Sequence, residues 1–226
     1  MQALAEAEAQ AAALKDAPAA LRLSLLSTRA VVSSLSGDFD TGARKYEQLR
    51  REYRLLGNLD GESSVANNLA ELEHARGNTE RAIMLTRESL PRLRQGIDEL
   101  SLAITLTNLT GYLVAADDLV GASAAAREAL ALLVKGDPDH GEVAILVEHL
   151  ALVHALDEDF TRAAKLEGYA EAAFQRYEML RESTERGTRD RLNALLCAQL
   201  TPDDLARLTV EGATLSPDEA IAEALR

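Results

Sequence analysis

The chain has 226 residues, with 24 Lys and Arg against 37 Asp and Glu, a formal net charge of −13, one cysteine and no tryptophan. No run reaches the 18 or so uninterrupted apolar residues of a membrane span, and the opening MQALAEAEAQAAALKD carries acids where a secretory leader would carry early Lys or Arg. A lone Cys197 makes neither an internal disulfide nor a cysteine zinc site, and the acidic balance disfavours nucleic acid, because a duplex repels an anionic body.

Alanine (40) and leucine (39) make up about a third of the residues, while aromatics are 4%. Both favour helices, and strand formers are scarce. An apolar share of 47% suffices for a core. An all-α, cytoplasmic protein is expected.

In chain order, residues 3–15 read as an apolar helix closed by Pro18. It looks like the remnant second helix of a preceding repeat, as if the chain began within a longer array. Helical hairpins follow. First helices are expected at 21–36, 62–76, 98–115 and 141–156, and second helices at 41–56, 79–95, 120–135 and 161–180. Gly57-Asn58, Gly96 and Gly136-Asp137-Pro138 mark breaks. Pro91 lies inside a predicted second helix, which it kinks or ends early, since it removes a backbone bond. A helix at 188–200 precedes short ones at 202–208 and 217–225. The last two start with a hydroxyl N-cap, then Pro, then an acid three residues after the cap: Thr201-Pro202-Asp203-Asp204 and Ser216-Pro217-Asp218-Glu219.

The hairpins repeat. SGDFDTGARKYEQL, RGNTERAIMLTRESL, ADDLVGASAAAREAL and DEDFTRAAKLEGYA align on Gly37, Gly77, Asp117 and Glu158, spaced 40, 40 and 41. Five residues later come Gly42, Ala82, Ala122 and Ala163; seven earlier come Ala30, Ala70, Thr110 and Ala151. Small residues at fixed places in both helices mean that the backbones approach closely there. Position eight earlier holds Leu69, Leu109 and Leu150, with Arg29 breaking the pattern in the first copy.

Catalytic chemistry is not legible. No G-x-x-x-x-G-K-[ST] or G-x-G-x-x-G occurs. His149 and His154 are five apart and do not share a helix face as a zinc pair would. Cys197 in the apolar run NALLCAQL reads as a buried, inert thiol. The pairs Asp117/Asp118 and Asp203/Asp204 sit at turns and helix starts, as caps. No enzyme, metal or cofactor is expected. Arg44, Lys45, Arg50, Arg51 and Arg54, continued by Arg76, Arg81, Arg87, Arg92 and Arg94, form a basic outer face. Such a face is simply solvated, or docks an acidic partner.

The turn-plus-small-residue motif of GNTERA, DEDFTRA and GDFDTG resembles the tetratricopeptide repeat in a long-helix variant. The resemblance implies a right-handed α-solenoid of about four TPR-like hairpins over 1–182, with 1–18 as the remnant helix and 183–226 as a C-terminal helical cap. The stretch from Phe160 to Arg226, above all Gly212, Leu215, Ser216, Glu219, Ala220, Ile221, Ala224 and Leu225, resembles the end of bacterial STAND-type signalling ATPases, including LuxR-like transcriptional regulators. That implies a non-catalytic sensing or interaction arm in signal transduction, with ATPase and effector domains upstream in the same polypeptide.

In tetratricopeptide arrays the first helices line a groove that holds a peptide, a protein segment or a small effector. The resemblance places Asn68, Asn108 and His149 at a position where the family commonly has Asn, whose amide donates and accepts. Asn67, Thr107 and Glu148 stand beside them, and Glu71 and His74 lie further along. Val31, Glu71, Gly111 and Leu152 occupy equivalent places one turn on, so the middle of the groove is expected to be polar and its C-terminal end more apolar. The same Asn residues could instead stitch neighbouring repeats. A stand-alone adaptor that self-associates, or a regulatory subunit of an enzyme, are the alternatives.

Overall fold

A computed structural model describes residues 19–96, 98–136 and 140–226. The helix expected at 3–15 and the break at Asp137-Pro138 lie outside them. Regular structure among the described residues is all α-helical. The chain divides into two compact units, residues 1–92 and 93–226.

The described part of the first unit holds α1 (Ala19–Leu35), α2 (Phe39–Leu55), α3 (Leu59–Ala75) and α4 (Thr79–Leu93). α1 packs on α2 and α2 on α3. Buried Glu73 closes the α3–α4 turn, accepting from Asn78 at 2.6 Å and Arg76 at 3.0 Å. Pro91 is tolerated near the end of α4, which stops two residues later.

The second unit holds α5 (Glu99–Ala115), α6 (Leu119–Gly136), α7 (Gly141–Leu156), α8 (Phe160–Arg176), α9 (Ser183–Gln199), α10 (Pro202–Ala213) and α11 (Pro217–Ala224). Consecutive helices α5 to α8 pack neighbour on neighbour, and α5 also lies against α7. α10 packs along α8, and α11 covers the ends of α7 and α8. His154 Nε2 meets the Ala224 carbonyl at 3.0 Å and Arg162 Nε meets Glu223 at 3.2 Å.

One turn design recurs. Gly37, Gly57, Gly77, Asp117, Glu158 and Glu178 all have φ between 52° and 86°. Around each, paired backbone bonds close the helix end, as with Gly37 N to Ser34 O (3.1 Å) and Asp38 N to Ser33 O (2.9 Å). The next residue then starts the following helix: Asp38, Asn58, Asp118 and Asp159 each accept from a backbone N–H three residues on. The four positions that anchor the sequence repeat are therefore all left-handed helix ends. Ala30, Ala70, Thr110, Ala151, Gly42, Ala82, Ala122 and Ala163 are all buried, as the repeat requires.

Three helix boundaries differ from expectation by four or five residues, among them the helix expected at 202–208, which runs on to Ala213. The helix expected at 161–180 ends at Arg176, because Glu178 turns left-handed and Met179 N returns to Phe174 O at 2.9 Å. Met179 has no side-chain oxygen to cap a new helix, so the chain runs on to Glu182. There a capping box of Glu182 and Glu185 starts α9 five residues before the expected 188. Within the second unit α9 is packed on α7 and α5. Among the described residues, no helix is long and apolar enough to cross a membrane.

Candidate functional site

The eight groove residues separate by unit. In the first unit all four lie on α3. Asn68 is exposed, while Asn67, Glu71 and His74 are half-buried. Val65, Ala66, Leu69, Ala70 and Leu72 turn into the core, which leaves Asn68 outward. His74 Nδ1 lies 3.1 Å from Thr79 Oγ1, and burial pulls its pKa below the usual imidazole value.

In the second unit Thr107 and Asn108 lie on α5, and Glu148 and His149 on α7. Asn108 is half-buried, whereas Thr107, Glu148 and His149 are fully buried. What covers this face is the chain's own α9, which packs on both α7 and α5.

Arg181, Thr184, Thr188 and Arg191 each make contacts that seat α9. Arg181, just before the helix, donates to one carboxylate oxygen of Glu148 through Nε (2.8 Å) and Nη2 (2.7 Å). The Arg181 guanidinium also lies 3.9 Å from the centre of the Phe174 ring. Thr184 lies over Gly111, where a Cβ would fall 2.6 Å from Thr184 Cγ2 and 2.8 Å from His149 Nε2. Thr188 Oγ1 meets His149 Nδ1 at 3.0 Å. Arg191 reaches Asp117 Oδ1 at 2.7 Å, in the turn that ends α5. Gly111 is thus required for the close approach of α9.

This crossing is rich in buried acids. Burial first, and then the neighbouring Glu185, push the Glu142 carboxyl up to about 7. Burial likewise carries Glu148 up to about 7, against the pull of Arg181. Glu185 and Glu167 are raised by burial too. Among the described residues no three His, Cys, Asp or Glu side chains converge as a metal requires.

The basic face of the first unit is largely ion-paired. Arg50 meets Glu88 at 2.6 Å, Arg54 holds Glu62, Arg76 holds Asp40, and Arg81 holds Glu47. Arg44, Lys45 and Arg51 line an open cleft of about 520 Å³ beside those last two pairs. Arg94 belongs to the second unit and forks onto Glu128 at 2.8 and 2.7 Å. Exposed pairs of this kind contribute little to stability.

Cys197 corrects the sequence reading: it is exposed. α9 turns Leu192 and Leu196 inward, and the next position swings about 100° round to the surface.

Sequence reasoning missed Arg181, Thr184, Thr188 and Glu185, which lie after the last repeat copy. The available signal was the acid pair Glu182 and Glu185 at capping-box spacing, which marks where α9 starts. No protein-family model matches the chain, and no curated protein gives a significant match to it.

Proposed function

We propose that the chain is a non-catalytic interaction module, a right-handed solenoid of about four TPR-like hairpins whose first helices recognise a segment of a partner protein. One observation carries the reading. In the second unit the repeat positions represented by Gly111 and His149 are in contact with a helix, α9. In the first unit the equivalent positions are Glu71 and Asn68 on α3, with Asn68 exposed and Glu71 half-buried. One face of a repeated unit that seats a helix in one copy is suited to seat a segment in another. The exposed amide of Asn68 can donate to and accept from a partner backbone.

The resemblance of the tail to STAND-type regulators extends this to a cytoplasmic sensing arm, whose occupancy is read by ATPase and effector domains elsewhere in the polypeptide. Its support is that Gly212 and the Ser216–Leu225 stretch form the packed and capped end of the second unit.

The test is selection of a displayed random-peptide library on the full chain, followed by titration of the selected peptides. Peptides are expected to bind with dissociation constants around micromolar, and Asn68→Ala with Glu71→Ala should weaken them about tenfold or more. Failure to enrich any peptide, or binding indifferent to both substitutions, overturns the reading.

A further inference from the structure

Carboxyl groups lie on both sides of the α7–α9 crossing: Glu142 and Glu148, six residues apart on α7, each face Glu185 of α9. Glu148 is 0% exposed and Glu185 6%. Oε1 of Glu148 takes both Arg181 bonds, while Oε2 is buried with no hydrogen-bond partner among the described residues. The surroundings do not neutralise the cluster. Glu142 faces Thr107 of α5, Glu182 and Glu185. Glu148 faces Arg181, Glu185 and Arg189, and Glu185 faces Glu182 and Arg186. From α8, Glu167 and Glu171 face the same guanidiniums, and Glu171 pairs with Arg181 at 3.0 Å and Arg189 at 2.9 Å. Six carboxyls thus share three guanidiniums, Arg181, Arg186 and Arg189. Glu182 and Arg186 are exposed, but Glu148, Glu167 and Glu185 are buried and Glu142 is half-buried, and ionising these four together is costly.

We propose that α9 is a proton-controlled latch, seated on the α5–α7 face while the Glu142–Glu148–Glu185 cluster holds a proton and released as the cluster ionises fully. The chain provides for it. The link of residues 177–182 between α8 and α9 is non-helical, and Leu180 there is 91% exposed. α10 is held on α8 independently, so α9 opens locally between two anchored ends. Release uncovers Gly111, Glu148 and His149, a second face for partner segments; that consequence rests on the proposed function, whereas the latch does not.

The direction follows from linkage. A carboxyl that titrates higher when α9 is docked than when it is free favours docking at low pH. That advantage is lost as pH rises through the docked value. With about 7 docked and the ordinary 4.5 free, Glu142 and Glu148 each weaken docking about tenfold between roughly pH 6 and 8.

Amide hydrogen exchange on the full chain tests this, corrected for the intrinsic base-catalysed rate, with α8 as internal reference. Protection of Ser183–Gln199 should fall about tenfold or more relative to Phe160–Arg176 over that pH range. Glu142→Gln is isosteric at a half-buried position, keeps a partner for Thr107, and should remove about tenfold of the fall. Glu148→Gln should do the same. Protection of α9 that is independent of pH, loss of α9 and α8 together, or an undiminished fall in Glu142→Gln overturns the latch. None of these outcomes involves a peptide, so the latch and the partner-binding reading fail separately.

Discussion

Gly168 on α8 and Gly212 on α10 stand where the two helix backbones touch. A Cβ at Gly168 would fall 2.1 Å from the Thr209 carbonyl oxygen, and one at Gly212 would fall 1.8 Å from that of Lys165. Neither obstacle is a movable side-chain tip. Gly168→Ala and Gly212→Ala should each separate the helices and destabilise the second unit by about 1–3 kcal/mol, read by urea unfolding. Gly187 is the control: it lies within α9, and a Cβ there meets nothing within 4 Å. Gly187→Ala should stabilise by about 0.5–1 kcal/mol.

The turns make a second pair of opposite effects. Glu178 adopts φ 52° with a side chain that the left-handed region disfavours, and Gly77 adopts φ 86°. Glu178→Gly should raise the stability of the second unit by about 0.5–1 kcal/mol, and Gly77→Ala should lower that of the first by about 1 kcal/mol. Asp117, also left-handed at φ 58°, should gain less from Gly because its carboxylate holds Arg191. Thermal melts of the three variants check the ranking.

Arg181 is 10% exposed at its side chain, bonds one oxygen each of Glu148 and Glu171, and lies over the Phe174 ring. Arg181→Ala leaves the Glu148 carboxylate buried without its cation. A loss of about 3 kcal/mol is expected in urea unfolding at about pH 9, where Glu148 must ionise. The loss should shrink in mildly acidic solution, where Glu148 takes up a proton.

The two units should respond to pH with opposite signs. His74 titrates lower folded than unfolded because it is buried, so the unfolded chain binds the extra proton and the first unit loses stability as pH falls below about 6.5. Glu142 and Glu148 titrate higher folded, so the second unit gains stability over the same fall and loses it as pH rises through about 7. Exchange of α3 and of α7, followed from about pH 5 to 8, should diverge. His74→Gln should flatten the first trend and leave the second.

Most of the helices were legible because their ends are written in consecutive residues. Gly37-Asp38, Gly57-Asn58 and Asp117-Asp118 each supply a left-handed end and then an N-cap, and the backbone bonds that they make span only five residues. The buried small residues, Ala30 with Gly42 and Ala70 with Ala82, were legible because a 40-residue rhythm repeats them. The groove positions were legible as places, and their exposure was not. Asn68 and His149 occupy equivalent positions, yet Asn68 is exposed and His149 is buried.

The sequence by itself determined the helices, their punctuation and the small-residue core, since these depend on neighbours within a turn or on a regular period. Only the tertiary structure decided that α9 occupies the face of α5 and α7, and that its Glu185 faces Glu142 and Glu148 of α7. His149 and Thr188 are 39 residues apart, and Gly111 and Thr184 are further apart still. The fit of a hydroxyl to an imidazole, or of a methyl to a missing side chain, leaves no local trace in the chain that makes it.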